Sequence, residues 1–371
     1  MAEANDARER LMAGRSWDEF CDTLKAAGQV ILAEGSPESG LDRAEGFRYL
    51  SRLTRASLEK FVEYNDPLAP VLHRPVHETA KIGADNPDNY YQSATISGEY
   101  EYRIRGQRGT IHYLDFGTQS DGVAGSGDSS QAGHLDHTDL EMDADGHFEI
   151  LLSCEEKPGN WLRMSPDTAM LIVRQTFLDR EKETPADLVI ERIGGNGKPS
   201  PLTPEFLDAG LGQSAGLVLA CSNLFSGWAQ GFKTNHNNEL PKFDDSVSMG
   251  AGGDPNICYY HSYWELGPEE ALVIESEVPE CESWNFQLDN HWMESLDYRY
   301  HTIHVNKHTA VYEKDGSVRI VVAHEDPGVP NWIDTVGHAR GTMCFRWIRA
   351  GEHPQPRTRV VKRSEIASSI A

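Results

Sequence analysis

Between Trp284 and His308 the chain reads WNFQLDNHWMESLDYRYHTIHVNKH, its densest mixture of amides, carboxylates, imidazoles and aromatic rings. If this stretch is β, side chains two apart share a face. Asn285, Gln287 and Asp289 then project together, opposite Trp284, Phe286 and Leu288. Arg299, His301 and Ile303 share a second face, opposite Tyr298, Tyr300 and Thr302. Small-molecule sites are largely apolar with a few fixed polar groups, and this segment supplies both. Asp297 and His301 are candidate general acids or bases, with Tyr298 as proton donor. Trp284, Asn285, Gln287, Trp292 and Arg299 are candidate substrate contacts. The competing reading makes them all surface residues on an outer sheet face.

A second chemical signal is Arg346, an arginine inside the apolar run GTMCFRWI. Burying a charge is costly unless it is paired. Alternation puts Arg346 on the face of Cys344 and Ile348, away from Phe345 and Trp347. It then either pairs with a structural carboxylate such as Asp326 or Asp334, or lines a concave sheet and binds an anionic or carbonyl group. Trp332 and the turn residue His338 precede it and join it as candidate substrate contacts.

Arg346 has an earlier counterpart. Residues 145–177 read DGHFEILLSCEEKPGNWLRMSPDTAMLIVRQTF, and residues 315–348 read DGSVRIVVAHEDPGVPNWIDTVGHARGTMCFRWI. Asp-Gly opens both, as a tight turn requires. An alternating strand, Pro-Gly, Asn-Trp and an arginine in an apolar strand follow in the same order, ending at Arg174 and Arg346. This order implies an internal duplication. One copy cannot bury both faces of its strands, so each copy is expected to form two packed sheets, a β-sandwich or jelly roll. Arg174 thereby becomes a candidate site residue as well.

Other motifs carry less. His134, Asp136, His137 and Asp139 are metal-ligand types, but they follow a Gly/Ser-rich loop (121–133) without a recognised ligand spacing, so no metal is assigned. DNPDNYY (85–91) reads as an Asx-rich turn. Six scattered cysteines without Cys-x-x-Cys read as reduced, mostly buried fillers. There is no Gly-x-Gly-x-x-Gly after a strand, no Walker A, no Gly-x-Ser-x-Gly elbow (Gly212–Gly216 matches the letters but falls inside the stretch 203–230, which reads as helical) and no Cys-x-x-Cys-His. Nucleotide, nicotinamide, serine-hydrolase and haem chemistry are disfavoured, and no cofactor is expected.

The elements that must position these groups follow from pattern. Residues 1–80 read as an N-terminal helical segment and connection. Its second helix is expected to start at a Ser16–Glu19 capping box and to bury Trp17, Phe20, Leu24 and Ala27; a third is expected to bury Leu41, Phe47, Leu50, Leu53 and Leu58. Residues 81–200 read as a first β-sandwich domain, 201–256 as a helical and irregular connection, and 257–371 as a second β-sandwich domain. Strands are expected at YRYHTIHV (298–305) among others. The fold class is mainly β with helical additions.

A net charge of −24 disfavours nucleic acid and anionic membranes as partners. No apolar leader or membrane-length run is visible, so a cytoplasmic location is expected. A small-molecule substrate is the expected partner, with homo-oligomerisation left open.

The pieces SWNFQLDN (283–290), YRYHTIHVN (298–306), DGSVRI (315–320), NWID (331–334) and FRW (345–347) resemble, in order, the bacterial family catalogued as domain of unknown function 1214. The resemblance covers about residues 260–350. Residues 85–180 look like the accompanying β domain of relatives that often carry a companion domain of unknown function 1254. The resemblance implies a pair of β-sandwiches and no particular reaction. The residues themselves suggest a cofactor-independent acid/base enzyme, a lyase, isomerase or hydrolase. Its substrate would be a small hydroxylated, partly apolar molecule, aromatic, terpenoid or sugar-derived. Asp297, Tyr298 and His301 would move protons, and Arg346 and Asn285 would orient the substrate. The rival expectation is a non-catalytic ligand- or carbohydrate-binding or assembly protein.

Overall fold

A computed structural model describes residues 2–120, 131–251 and 253–366. Most of the Gly/Ser-rich loop and the last five residues lie outside them. The elements in chain order are α1 (Ala2–Met12), α2 (Arg15–Leu32), α3 (Gly40–Leu58) and a π-helical turn (Glu59–Glu63). Then come β1 (Asn89–Thr95), β2 (Tyr102–Gln107), β3 (Tyr113–Ser120), β4 (Gln131–Asp136), β5 (His147–Ser153), β6 (Trp161–Arg163), β7 (Thr168–Thr176) and β8 (Asp187–Arg192). α4 (Pro204–Asn235) and α5 (Asp245–Gly250) precede β9 (Ile257–Glu265), β10 (Glu270–Ser276), β11 (Ser283–Leu288) and β12 (His304–Asn306). β13 (Val318–Ala323), β14 (Trp332–Asp334), β15 (Arg340–Ile348), β16 (Arg357–Lys362) and α6 (Arg363–Ile366) complete the chain.

The chain divides into two units: residues 1–28, 50–80 and 88–221, and residues 29–49, 81–87 and 222–371. Each contains two four-stranded sheets. In the first unit the orders are β1-β7-β3-β4 and β6-β5-β2-β8. In the second they are β9-β15-β11-β12 and β14-β13-β10-β16. Adding eight to each strand number converts one set into the other. Even the exceptional parallel pairs, β5/β6 and β13/β14, correspond. The duplication read from sequence is therefore a duplication of topology, and both copies are β-sandwiches.

In the second unit Trp284, Phe286 and Leu288 of β11, with Met343, Phe345 and Trp347 of β15, face Leu272, Ile274, Ile320 and Val322 from the other sheet. Trp284 and Phe345 stack with ring centres 5.6 Å apart, and Trp347 meets Phe345 edge-on at 4.7 Å. The first unit builds its core in the same way from Phe116, Leu171 and Val173 against Ile104, Ile150 and Ile190. No helix among the described residues is long and apolar enough to cross a membrane.

Several local expectations need correction. Ser16 donates to Asp208 Oδ1 at 2.6 Å and caps no helix; Gly14 turns the chain instead, at a φ of 77°. Trp17 is 58% exposed, whereas Phe20 and Ala27 of that stripe are buried and Leu24 packs, partly buried, against the Phe20 cluster. Leu41 and Phe47 are exposed, while Leu53 is buried. At α3's start Ser39 Oγ accepts from the Asp42 amide and donates to its carboxylate, a reciprocal cap. Residues 298–302 are not a strand; turns replace them, and pairing with β11 begins at His304. β8 and β16, the outer strands of their sheets, were not foreseen, nor was the short α5.

Phe345 is the test of the aromatic core. Phe345→Ala is expected to cost about 3–5 kcal/mol in urea denaturation, whereas Val189→Ser, at a position 63% exposed, is expected to stay within about 0.5 kcal/mol. Equal effects would contradict the packing described.

Candidate functional site

Because Trp284, Phe286, Phe345 and Trp347 fill the sandwich, alternation forces their neighbours onto the opposite face of the same sheet. The register sets these neighbours in rows. One row is Asn306–Asn285–Arg346–Tyr259, and the next is His304–Gln287–Cys344–His261. Beyond them, the Asp289 amide donates to the Thr342 carbonyl at 2.8 Å, and Thr342 pairs with Tyr263. This face would ordinarily be wet. Here Asn285, Gln287, Asp289, His261, Thr342, Cys344 and Arg346 are all buried.

The cover comes from two places in the same unit. Residues 81–87 lie over the β11–β15 side. Arg346 donates through Nη2 to the Ala84 carbonyl at 2.5 Å. Gln287 Nε2 donates to the Asp85 carbonyl at 2.9 Å, and Asn285 Nδ2 to Asn86 Oδ1 at 2.6 Å. Asp85 in turn accepts from the Ser295 amide and hydroxyl at 2.9 and 2.8 Å. Over β9, Phe232 and Tyr259 sandwich the His261 ring at 5.9 and 5.8 Å, each within 7° of parallel. Phe243 meets it edge-on at 5.1 Å, and Trp228 packs behind.

A hydrogen-bonded chain crosses the face. Arg346 Nη1 donates to Gln287 Oε1 at 2.5 Å and to Asn285 Oδ1 at 3.3 Å. Arginine only donates, so Oε1 of Gln287 must face it and Nε2 must point the other way. There Nε2 donates to Asp289 Oδ1 at 2.5 Å. Asp289 Oδ2 is buried and meets no hydrogen-bond partner among the described residues. His261 Nδ1 and His291 Nε2 are in the same condition. Buried polar atoms in this state need a specific explanation.

Burial dominates the electrostatics. It pushes the Asp289 carboxyl up to about 8; the Gln287 hydrogen bond opposes this, Asp85 adds to it, and Arg346 and Lys81 oppose it. Burial, and then the Arg346 charge, take His261 down to about 3. Burial, with Lys233 and Arg340, takes His291 down to about 3. Burial raises the Cys344 thiol to about 12, which leaves it unreactive while covered. The Tyr263 phenol is also raised by burial and sits 2.9 Å from His291 Nδ1. The phenol therefore keeps its proton beside a neutral imidazole.

Of the residues singled out in the sequence, Asn285, Gln287 and Arg346 come together. Neither Asp326 nor Asp334 is the acceptor described for Arg346. Asp326 accepts from the Gly328 amide, and Asp334 lies 2.8 Å from His301 Nδ1. Asp297 and Arg299 form a two-point pair at 2.9 and 2.7 Å in an exposed turn. That pairing holds the Asp297 carboxyl down at about 2, far from a proton-exchanging value. Tyr298 packs against the sandwich edge, with Lys81 Nζ 4.8 Å from its ring centre. Trp284 faces the opposite side and donates to Tyr312 Oη at 3.1 Å. Trp292 donates to the Asp42 carbonyl at 3.0 Å beneath Gly46, where a Cβ would lie 2.8 Å from its ring. Trp332 donates to the Ala323 carbonyl at 3.0 Å. His338 is buried, donates through Nδ1 to the Thr335 carbonyl at 3.1 Å, and has Nε2 3.7 Å from Glu45.

Arg174 occupies the equivalent position in the first unit. Its row is Tyr91–Arg174–Asp115–Asp136, and its Nη1 lies 3.3 Å from Asp115 Oδ2. Asp115 and Asp136 thus stand where the second copy has Asn285 and Asn306. Asp136 Oδ1 accepts from the Thr138 amide and hydroxyl, and His137 packs edge-on to Tyr113. Among the described residues, His134, Asp136, His137 and Asp139 do not converge as one ligand set.

Asp289 was legible as a face-mate of Asn285 and Gln287. His261 carries no sequence expectation, His291 is only one member of the polar-aromatic stretch, and of the covering residues 81–87 only 85–87 stand out, as part of an Asx-rich turn. Alternation from Tyr259 would have placed His261, whereas the cover comes from some 200 residues earlier in the chain.

Comparison with known proteins agrees with this architecture. The model of a family described as "Protein of unknown function (DUF1214)" matches residues 271–352, which run from β10 through β15. An uncharacterised protein from Burkholderia cenocepacia, known from its crystal structure, is 52% identical. That match covers 97% of this chain and 100% of that one, with a TM-score of 0.94. The VPA0106 protein from Vibrio parahaemolyticus shares the fold at 14% identity, over 85% of this chain and 98% of its own, with a TM-score of 0.51. A search of curated proteins finds no match. The duplicated sandwich, the family pattern across β10–β15 and the close relative along nearly the whole chain lead to one conclusion: the chain belongs to the DUF1214 family of proteins of unknown function.

Proposed function

We propose that the chain is a cofactor-independent acid/base enzyme whose proton carrier is Asp289, on the buried polar face of the β9-β15-β11 sheet. The observation that carries this reading is a fully buried carboxyl with one oxygen engaged by Gln287 and the other without a partner among the described residues. A carboxyl raised to about 8 can both hold and release a proton near neutrality. Arg346 acts as a positioning residue. It fixes the Gln287 amide, which fixes Asp289 Oδ1 and leaves Oδ2 for the substrate.

The surroundings favour an uncharged ligand. Burial that drives Asp289, His261 and His291 to their neutral forms imposes the same penalty on a charged substrate. Trp228, Phe232, Phe243 and Tyr259 suit an apolar ring, and His291 Nε2 suits a hydroxyl, which can either donate or accept. A small hydroxylated, partly apolar metabolite fits this chemistry, and lyase, isomerase or hydrolase activity remains the reaction class. The proton role moves from Asp297, Tyr298 and His301 to Asp289. A cytoplasmic location and the absence of nucleic-acid and membrane partners remain part of the reading, on the charge of −24.

A non-catalytic binding protein is the second reading. A groove of about 580 Å³ lined by Val311, Tyr312, Arg319, Val329 and Asn331 favours it. Pooled uncharged hydroxylated aromatics, terpenoids and sugar derivatives, followed by both thermal shift and turnover, separate the two. A ligand that binds and is recovered unchanged supports the second reading.

With a turned-over substrate, Asp289→Asn is expected to lower kcat by at least about 100-fold, because an amide cannot exchange the proton. Asp297→Asn is expected to leave kcat within about twofold, and the reverse pattern would restore the assignment to Asp297. Arg346→Met should shift the pH profile upward by removing a cation that lowers the Asp289 value, and Arg346→Lys should partly restore it. An unshifted profile would remove Arg346 from this role.

Asp289 also makes a substrate-free signature. Its folded value of about 8 lies above the ordinary 3.8. Its contribution to stability is therefore complete below pH ~4, declines as pH rises and levels off above pH ~8. The melting temperature of Asp289→Asn relative to the native protein should climb across this window. A protonated-carboxyl infrared band should be present at pH 6, lost by pH 10, and absent from the variant. A constant difference in melting temperature and no such band would place the carboxyl outside this range.

A further inference from the structure

The proposed site is closed, so a ligand must enter by displacing part of its cover. We propose that residues 81–87 form a strap that lifts from the polar face of the β9-β15-β11 sheet, with the backbone at Gly83 and Ala84 leaving its positive-φ conformation as it does so. This rests on the reading of that face as the site and concerns how access to it is regulated.

The strap is tied to the sheet by discrete polar contacts. Ala84 and Asp85 offer their carbonyls to Arg346 and Gln287, and Asn86 accepts from Asn285. Asp85 holds Ser295 through both carboxylate oxygens. Lys81 Nζ donates to the carbonyls of Ser295 and Leu296 at 2.5 and 2.9 Å. Water can replace every one of these bonds on opening. By contrast, separating the sandwich sheets would expose Trp284, Phe345 and Trp347. A seven-residue segment held by replaceable polar bonds can open sub-globally at lower free energy than the core.

The closed position is also conformationally demanding. Gly83 has a φ of 61°, Ala84 of 57° and Met293 of 56°. For the two residues other than glycine this is a sparsely populated region. The two meet, with the Ala84 amide donating to the Met293 carbonyl at 2.7 Å. Gly83 lies against Phe225, where an added Cβ would be 2.7 Å from the ring. The seated strap thus combines backbone strain with a contact that tolerates no side chain.

Cys344 reports on the strap because it lies on the covered face beside Gln287. Cys258, on the sandwich side of β9, reports on the core. Alkylation by iodoacetamide, quantified for each cysteine by peptide mass, needs no substrate. In the native protein, Cys344 labelling should be nearly independent of low urea, as for a small local opening. Gly83→Ala and Asp85→Asn should each accelerate Cys344 at least tenfold and leave Cys258 unchanged. If Cys344 instead follows the full urea dependence of unfolding, and responds to the variants only together with Cys258, the strap does not open. Absence of turnover would sink the catalytic assignment alone, whereas this labelling result would sink the strap alone.

Discussion

A guanidinium buried in the middle of a sheet is the constraint on which the second unit's organisation rests. Arg346 cannot turn toward the sandwich, because Phe345 and Trp347 occupy that side and strand geometry sends it to the other. Once covered, its donors need acceptors. Asn285 and Gln287 supply side-chain oxygens from the neighbouring strand, and Ala84 supplies a carbonyl from the cover. The chosen amide orientation then propagates. Gln287 presents its nitrogen to Asp289, and burial raises to about 8 a carboxyl that would be an ordinary surface acid if exposed.

The duplication supplies an internal comparison. Both units place an arginine at the same position of the same strand, flanked by a tyrosine on one side. The first copy sets Asp115 beside it and the second sets Asn285. An ion pair in one copy is thus replaced by neutral amides in the other. The architecture tolerates both because the sandwich cores, built from the opposite faces of these strands, are unaffected. Because the core patterning is kept in both copies, one scaffold carries an ion pair on this face in one unit and a candidate chemical face in the other.

The parts legible in advance were those governed by local periodicity. Alternation assigned Asn285, Gln287 and Asp289 to one face and separated Arg346 from Phe345 and Trp347, and the repeated turn, Pro-Gly and Asn-Trp order revealed the paired sandwiches. Alternation failed at Tyr298–Thr302, where Asp297 and Arg299 close a turn and pairing resumes only at His304. Composition alone made Asp297 and His301 attractive. Their own partners, Arg299 and Asp334, occupy them at the surface. Ser16 shows the same limit at helix scale, since a distant Asp208 captured the hydroxyl that a local cap would have used.

Local periodicity alone thus fixed the faces of β11 and β15 and the presence of two similar sandwiches, because these depend on neighbours a few residues apart, while β8, β16 and the turn at 298–302 escaped it. Burial of the polar face was decided only by tertiary structure. Nothing near Asn285 or Arg346 in the chain announces that residues 81–87 and the aromatic side chains of Phe232 and Phe243 will close over them. That closure buries Asp289, and burial is what lifts its carboxyl from the ordinary carboxylate range to about 8.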